Sequence, residues 1–163
     1  MATVSSYVLA ETRSATPGVR PYIVDVVLDF ADLATAKGSA LAAADIVEAI
    51  DVPANTLVLA AGIEATVAPT GGTGTVLDLG ITGGDVDRFV DGFAYDSASA
   101  GDYATGANTG VPFVMGASDT IDVLIQAATT VSTAGKIRVW AVLMSIDSVG
   151  TSGADEVVRD QLA

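Results

Sequence analysis

"GGTGTVLDLGITGGDVDRFVDG" occupies residues 71–92, and two kinds of structure compete for it. Its glycines and aspartates suggest a phosphate cradle or a calcium loop. Its alternating Leu, Ile and Val suggest a hairpin of strand, glycine turn and strand. A dinucleotide loop needs a third glycine and a following helix whose amide dipoles hold the pyrophosphate. Gly72 and Gly74 have the first spacing, but Leu77 holds the third position. The segment "TVLDLGIT", in the place of that helix, reads as a strand, with Leu77, Leu79 and Ile81 on one face and Val76, Asp78 and Gly80 on the other. No Gly-Lys-Ser/Thr occurs, so a Walker loop is absent. An EF-hand turns at a glycine in its sixth position and closes on a glutamate in its twelfth. Counted from Asp85, those positions hold Val90 and Asp96. Repeat-type calcium turns fail too, because Val76 stands where aspartate is needed and no tandem copy exists. The double glycines at 71–72 and 83–84 are turn residues. Asp85, Asp87 and Asp91 are then solvated loop carboxylates, with Arg88 offsetting some of their repulsion; an irregular calcium site there stays open.

The same alternation extends both ways along the chain. In "YIVDVVLDF", Tyr22, Val24, Val26, Leu28 and Phe30 share one strand face, and Asp25 and Asp29 share the other with Ile23 and Val27 between them. "KGSALAAAD" is ambiguous, since Ser39 could cap an alanine-rich helical turn, with helix possible through Ile50. Ile46 to Asp51 and Leu57 to Val67 read as two strands joined by a turn at Pro53 to Asn55. Residues 96–109 are a loop by composition, and "VPFVM", "DTIDVLIQA" and "KIRVWAVLMSI" come after it as strands. Short strands punctuated by Gly, Pro, Asn and Thr, with no long amphipathic helix between them, argue for a sandwich, jelly roll or barrel. The expected organisation is an extended N-terminal arm over residues 1–20, a β-sandwich domain over 21–147 and a polar C-terminal tail over 148–163.

Composition removes whole classes of function. The chain has 163 residues, the size of one domain. Its 20 acidic and 7 basic residues give a net charge of −13, which repels nucleic-acid phosphates and anionic membranes alike. Half the residues are apolar and the mean hydropathy is +0.53, so a packed core is expected rather than disorder. There is no cysteine and no histidine, which excludes disulfides, thiolate metal sites, Ser-His-Asp hydrolysis and most zinc chemistry. "MATVSSYVLAETR" has no basic start followed by an apolar core. The longest apolar runs are about half of the ~20 residues a membrane-spanning helix requires, so a soluble protein is expected.

Acid–base chemistry finds no convincing pair. Asp25 and Asp29 lie about 13 Å apart along one strand face, beyond either glycosidase separation. Asp119 and Asp122 point to opposite faces. Trp140, alternating with Arg138 and Val142, reads as a core or subunit-interface aromatic before a sugar platform. Tyr95 and Tyr103, bordering the glycine-rich loop, are the aromatics expected at the surface. The chain is therefore expected not to be an enzyme and to need no cofactor.

Residues 45–146 carry a resemblance. "DVPANTLVLAAGIEATVAPTGGTGTVLDLGITGGDVDRFVDG" followed by "DTIDVLIQAATTVSTAGKIRVWAVL" is similar to the small β-rich decoration (cement) proteins of tailed bacteriophages, including cyanophages and other marine phages. The resemblance implies a jelly-roll-like antiparallel β-sandwich, commonly a trimer, that binds the major capsid protein on the outer surface of the virion. Arg13, Arg20 and the strand beginning at Tyr22 are then the expected capsid or subunit contacts, the arginines bonding acidic capsid groups. The alternatives are a receptor- or glycan-binding module of a head or tail fibre, with exposed aromatics over residues 93–113, and a calcium-dependent adhesion domain.

Overall fold

The computed structural model describes residues 3–4, 20–105 and 111–146. Among them, ten strands run in the order β1 (Thr3–Val4), β2 (Tyr22–Asp29), β3 (Ile46–Val52), β4 (Thr56–Thr70), β5 (Val76–Gly80), β6 (Val90–Phe93), β7 (Tyr103–Thr105), β8 (Phe113–Met115), β9 (Asp119–Ala127) and β10 (Ala134–Ser145). One helix, α1 (Phe30–Lys37), and a single 3-10 turn at Tyr95–Ser97 complete the set. The strands form two sheets. Sheet A has the order β1–β3–β9–β5–β6, and sheet B the order β2–β10–β4–β7, with β8 also paired to β4. Every pairing is antiparallel except that of β1 with β3. Successive strands from β2 to β5 cross between sheets, so the turn at Pro53–Asn55 joins strands of opposite layers rather than a hairpin. The result is a jelly-roll-like β-sandwich.

Period-two patterning decides which faces meet. Val24, Val26 and Leu28 of β2, Ile63 and Ala65 of β4, and Ile137, Val139 and Ala141 of β10 are buried against Ile50, Leu77, Leu79, Ile121 and Ile125 of sheet A. Each large aliphatic side chain removed from water contributes ~1.5–3 kcal/mol. Phe30, Phe89 and Tyr95 supply the largest buried side chains, and the Phe30 and Tyr95 rings stack 4.8 Å apart. β5 and β6 form the hairpin seen in the sequence, with Leu77 opposite Phe93. Gly71 and Gly83 take φ values of 74° and 84°, a region that a side chain at Cβ disfavours.

The helix lies earlier than the sequence pattern suggests. Ser39 caps nothing and Ile46–Val52 is strand; the helix instead begins at Phe30, which the alternation assigned to β2. Asp29 ends the strand in extended geometry, and its carboxylate accepts from the Ala31 N–H at 2.9 Å. Gly38, in the left-handed region, closes the helix by donating its N–H to the Thr35 carbonyl at 3.0 Å. Phe30 and Leu33 turn into the core. Lys37 then bonds the buried Asp45 carboxylate, which also accepts from the Ala42 N–H at 2.8 Å. These bonds hold the helix to the segment that leads into β3.

Candidate contact surfaces

The two outer faces of the sandwich differ in charge. Strands of sheet A carry Glu48, Asp51, Asp78, Asp91, Asp119 and Asp122, and no Lys or Arg. Strands of sheet B carry three acids, Asp25, Asp29 and Glu64, against two bases, Lys136 and Arg138. Cross-strand register places those bases opposite acids. Lys136 faces Asp29 and pairs with it at 3.1 Å, and Arg138 faces Glu64, with Nε 2.9 Å from its carboxylate. The Lys136 ammonium holds the Asp29 carboxyl below its usual range. Asp25 is the one charge of these strands with no ion-pair partner among the described residues.

Apolar exposure is just as one-sided. The exposed large hydrophobic residues among those described are Ile23, Val27, Val67, Tyr103, Val114 and Ile146, all on sheet B or one residue beyond it. Ile23 is 72% and Tyr103 70% exposed. Between them runs Trp140, half-buried on the same face. Its ring lies across Gly62, the residue opposite it in register, where a methyl group would come within 2.8 Å of the ring. Trp140 is thus a face residue rather than a core residue.

On sheet A the residues after the strand of the opening stretch fold back over the outer face. Ile81 N–H donates to the Asp85 carbonyl at 2.9 Å, and Phe89 N–H to the Leu79 carbonyl at 2.8 Å. Thr82 N–H donates to the Asp122 carboxylate at 3.0 Å. Beneath this loop Asp78 and Asp122 are buried within β5 and β9. Burial pushes both carboxyls up; Asp91 and Asp87 add to the shift at Asp78, against the Gly92 N–H that bonds it at 2.8 Å. The second oxygen of Asp122 is buried without a hydrogen-bond partner. Asp87 is also raised, chiefly by its hydrogen bond to the neighbouring Asp85 carboxyl. Arg88 does offset the acids as the sequence suggested: it pairs with Asp85 at 3.5 Å and stacks 4.2 Å above the Phe113 ring. No group of three or more ligand-type side chains that could hold a metal ion occurs among the described residues.

The predicted contact residues separate. Arg20 is exposed just before β2. Tyr22 opens β2 half-buried, packed against the core, and burial raises its hydroxyl. Arg13 and residues 147–163 lie outside the described residues. The expectation of an exposed Tyr95 is overturned: its ring is fully buried on Phe30, and its hydroxyl donates weakly to the Val67 carbonyl at 3.4 Å. Tyr103 is exposed as expected and borders a shallow cleft of about 380 Å³ with Phe93, Ser97 and Asp102. A second cleft, about 370 Å³, is lined by Ala40–Ala43 and Ala128–Thr133 and holds no ionisable side chain.

No protein-family profile matches the chain, and no curated protein does either. Solved structures do. The chain matches one in the structure described as the capsid of Ralstonia phage GP4, with a TM-score of 0.61 and 19% identity over 90% of this chain and 100% of that one. A chain of the cyanophage Pam1 capsid asymmetric unit matches with a TM-score of 0.57 and 20% identity, covering 83% and 94% of the two chains. A chain of the acidic stable capsid of Helicobacter pylori bacteriophage KHP30 matches at 0.54 and 10% identity, covering 76% and 86%. The sandwich is a fold found in phage capsids.

Proposed function

We propose that this chain is a structural virion protein that binds the major capsid protein and decorates the outer surface of a phage head. The observation that carries this reading is the shared fold: the likeness spans the full length of a chain from one phage capsid and nearly all of another. The side chains agree with a body that grips rather than reacts. The buried Asp78 and Asp122 of sheet A are tied to backbone N–H groups and the loop carboxyls Asp85 and Asp87 to one another, and beside Tyr103 the Ser97 hydroxyl and the Asp102 carboxylate are both bonded to main chain. A surface protein repeated over a shell gains hold by effective concentration, through many weak contacts at symmetry-related positions. A chain of net −13 keeps such particles apart in solution.

In this proposal Arg13 and Arg20 bond acidic groups of the capsid, the strand from Tyr22 lies at a capsid or subunit contact, and the chain acts as a homo-oligomer, a trimer by its resemblance. The test is co-sedimentation of the purified chain with heads assembled from its own major capsid protein. Saturable binding that raises the temperature at which the heads rupture is expected. Absence of binding overturns the proposal, and unchanged occupancy after deletion of residues 1–20 overturns the role of the arm. One observation favours the fibre-module alternative, namely Tyr103 exposed beside the cleft with Asp102. Retention of the chain on a glycan array, abolished by Tyr103→Ala, is its signature.

A further inference from the structure

We propose that the outer face of sheet B is an interface between copies of this chain, covered by the corresponding face of another copy. It concerns the oligomeric part of the function proposed above, giving a two-fold pair of copies in place of the trimer that the resemblance implies, and it stands on the face itself and not on capsid binding. Three observations carry it. The exposed large hydrophobics of the described residues lie on the strands of this sheet or one residue beyond it, with Ile23 and Val27 of β2 flanking the register position of Trp140 and Val114 at the β8 edge, level with Met144. Monomeric proteins rarely gather such residues on one face.

The second observation is charge. In a chain of net −13, most pairings of one copy with another bring acids against acids. The strands of sheet B carry three acids and two bases, and both bases are already paired within the face. Two such faces bring together one unpaired acid each, Asp25, whereas the strands of sheet A present Glu48, Asp51, Asp91 and Asp119 outside the buried Asp78 and Asp122, and no base. Lys136 and Arg138, held by their own partners, are not free to seek an acidic protein. Copies of the same face are therefore the occupant this charge pattern fits best.

The third observation is size. The strands β2, β4, β7, β8 and β10 have 8, 15, 3, 3 and 12 residues, which at ~3.3 Å rise and ~4.8 Å spacing make a face of about 650 Å². A stable contact buries about 600–1,000 Å² from each partner.

The test is sedimentation equilibrium of the purified full chain, beside Ile23→Glu and, as a control on sheet A, Ala127→Glu at the exposed end of β9. The wild-type chain and Ala127→Glu are expected to have a mass that is a multiple of the chain's at micromolar concentration. Ile23→Glu is expected to weaken association roughly 100-fold, since it buries an unpaired carboxylate. Ile23 is largely solvated within the single chain, so the variant should keep its far-UV spectrum, and Val114→Glu gives an independent second reading. Salt should strengthen the wild-type association by screening the net charge. A monomeric wild-type chain, or an oligomer untouched by both substitutions, overturns the inference. Capsid binding by a monomeric wild-type chain overturns it while leaving the proposed function intact. An oligomer broken by Ile23→Glu that binds no capsid does the reverse.

Discussion

Gly80→Ala should unseat the loop that covers sheet A. Gly80 ends β5 with its missing side chain facing outward, and an added methyl would drive into the carbonyl oxygen of Asp85 and the backbone of Val86. Those atoms are main chain, so no side chain can swing away to relieve the contact. The loop would have to retreat by about 1 Å to reach ordinary van der Waals distance. Three hydrogen bonds hold it down: Ile81 N–H to Asp85, Phe89 N–H to Leu79 and Thr82 N–H to Asp122. Weakening two or three of them, at ~1 kcal/mol each, and loosening the buried Phe89 gives a loss of about 2–4 kcal/mol. For a chain of this size each kcal/mol lowers Tm by about 2–4 °C, so calorimetry should record a drop of about 5–15 °C. Gly84→Ala is the control, because its added methyl would find nothing nearer than 3.7 Å. Equal Tm values for the two variants would refute the assignment of Gly80 as the seat of the loop.

Other substitutions probe other parts. Asp122 is raised by burial, so its charge opposes folding above its folded pKa, and stability should rise as pH falls through that value toward its ordinary one. Asp122→Asn keeps an acceptor for the Thr82 N–H; urea titrations should find it at least as stable as wild type at pH 7, with a flatter pH profile below. Asp29 has the opposite sign: its lowered pKa contributes stability that is present above its ordinary value and lost as pH falls through the folded one. Asp29→Ala removes the helix cap and the Lys136 pair, and urea denaturation should show a cost of about 1–2 kcal/mol at pH 7 that shrinks in acid. Tyr95→Ala, by emptying the site stacked on Phe30, should cost about 3–5 kcal/mol, whereas Tyr95→Phe, which loses only the long bond to Val67, should cost less than ~1 kcal/mol by the same assay.

The strands were legible because side chains alternate along them: "TVLDLGIT" and "YIVDVVLDF" each hand the core one clean face. The helix hid inside that alternation. Phe30 is buried whether it ends a strand or opens a helix, although Asp29 and Gly38 bracket the segment with the cap residues a helix requires. Sheet membership was beyond local pattern, since the turn at Pro53–Asn55 looks the same whether it closes a hairpin or crosses the sandwich. Tyr95 has small and polar neighbours in the sequence, which point to exposure, yet a polar segment can still fold one aromatic ring inward. The burial of Asp78 and Asp122 leaves no mark in the sequence, because the loop that covers them is itself polar and gives no apolar signal. The contact face, by contrast, left a trace. Ile23 and Val27 alternate with Asp25 and Asp29 along β2, apolar residues on the side of the strand where acids mark water.

Electron microscopy of heads assembled with and without this chain tests the central claim most directly. The account predicts added density outside the shell at every symmetry-equivalent position, with the acid-rich sheet A toward solvent and neighbouring copies meeting through sheet B. Density confined to a fibre tip, or maps identical with and without the chain, would contradict it.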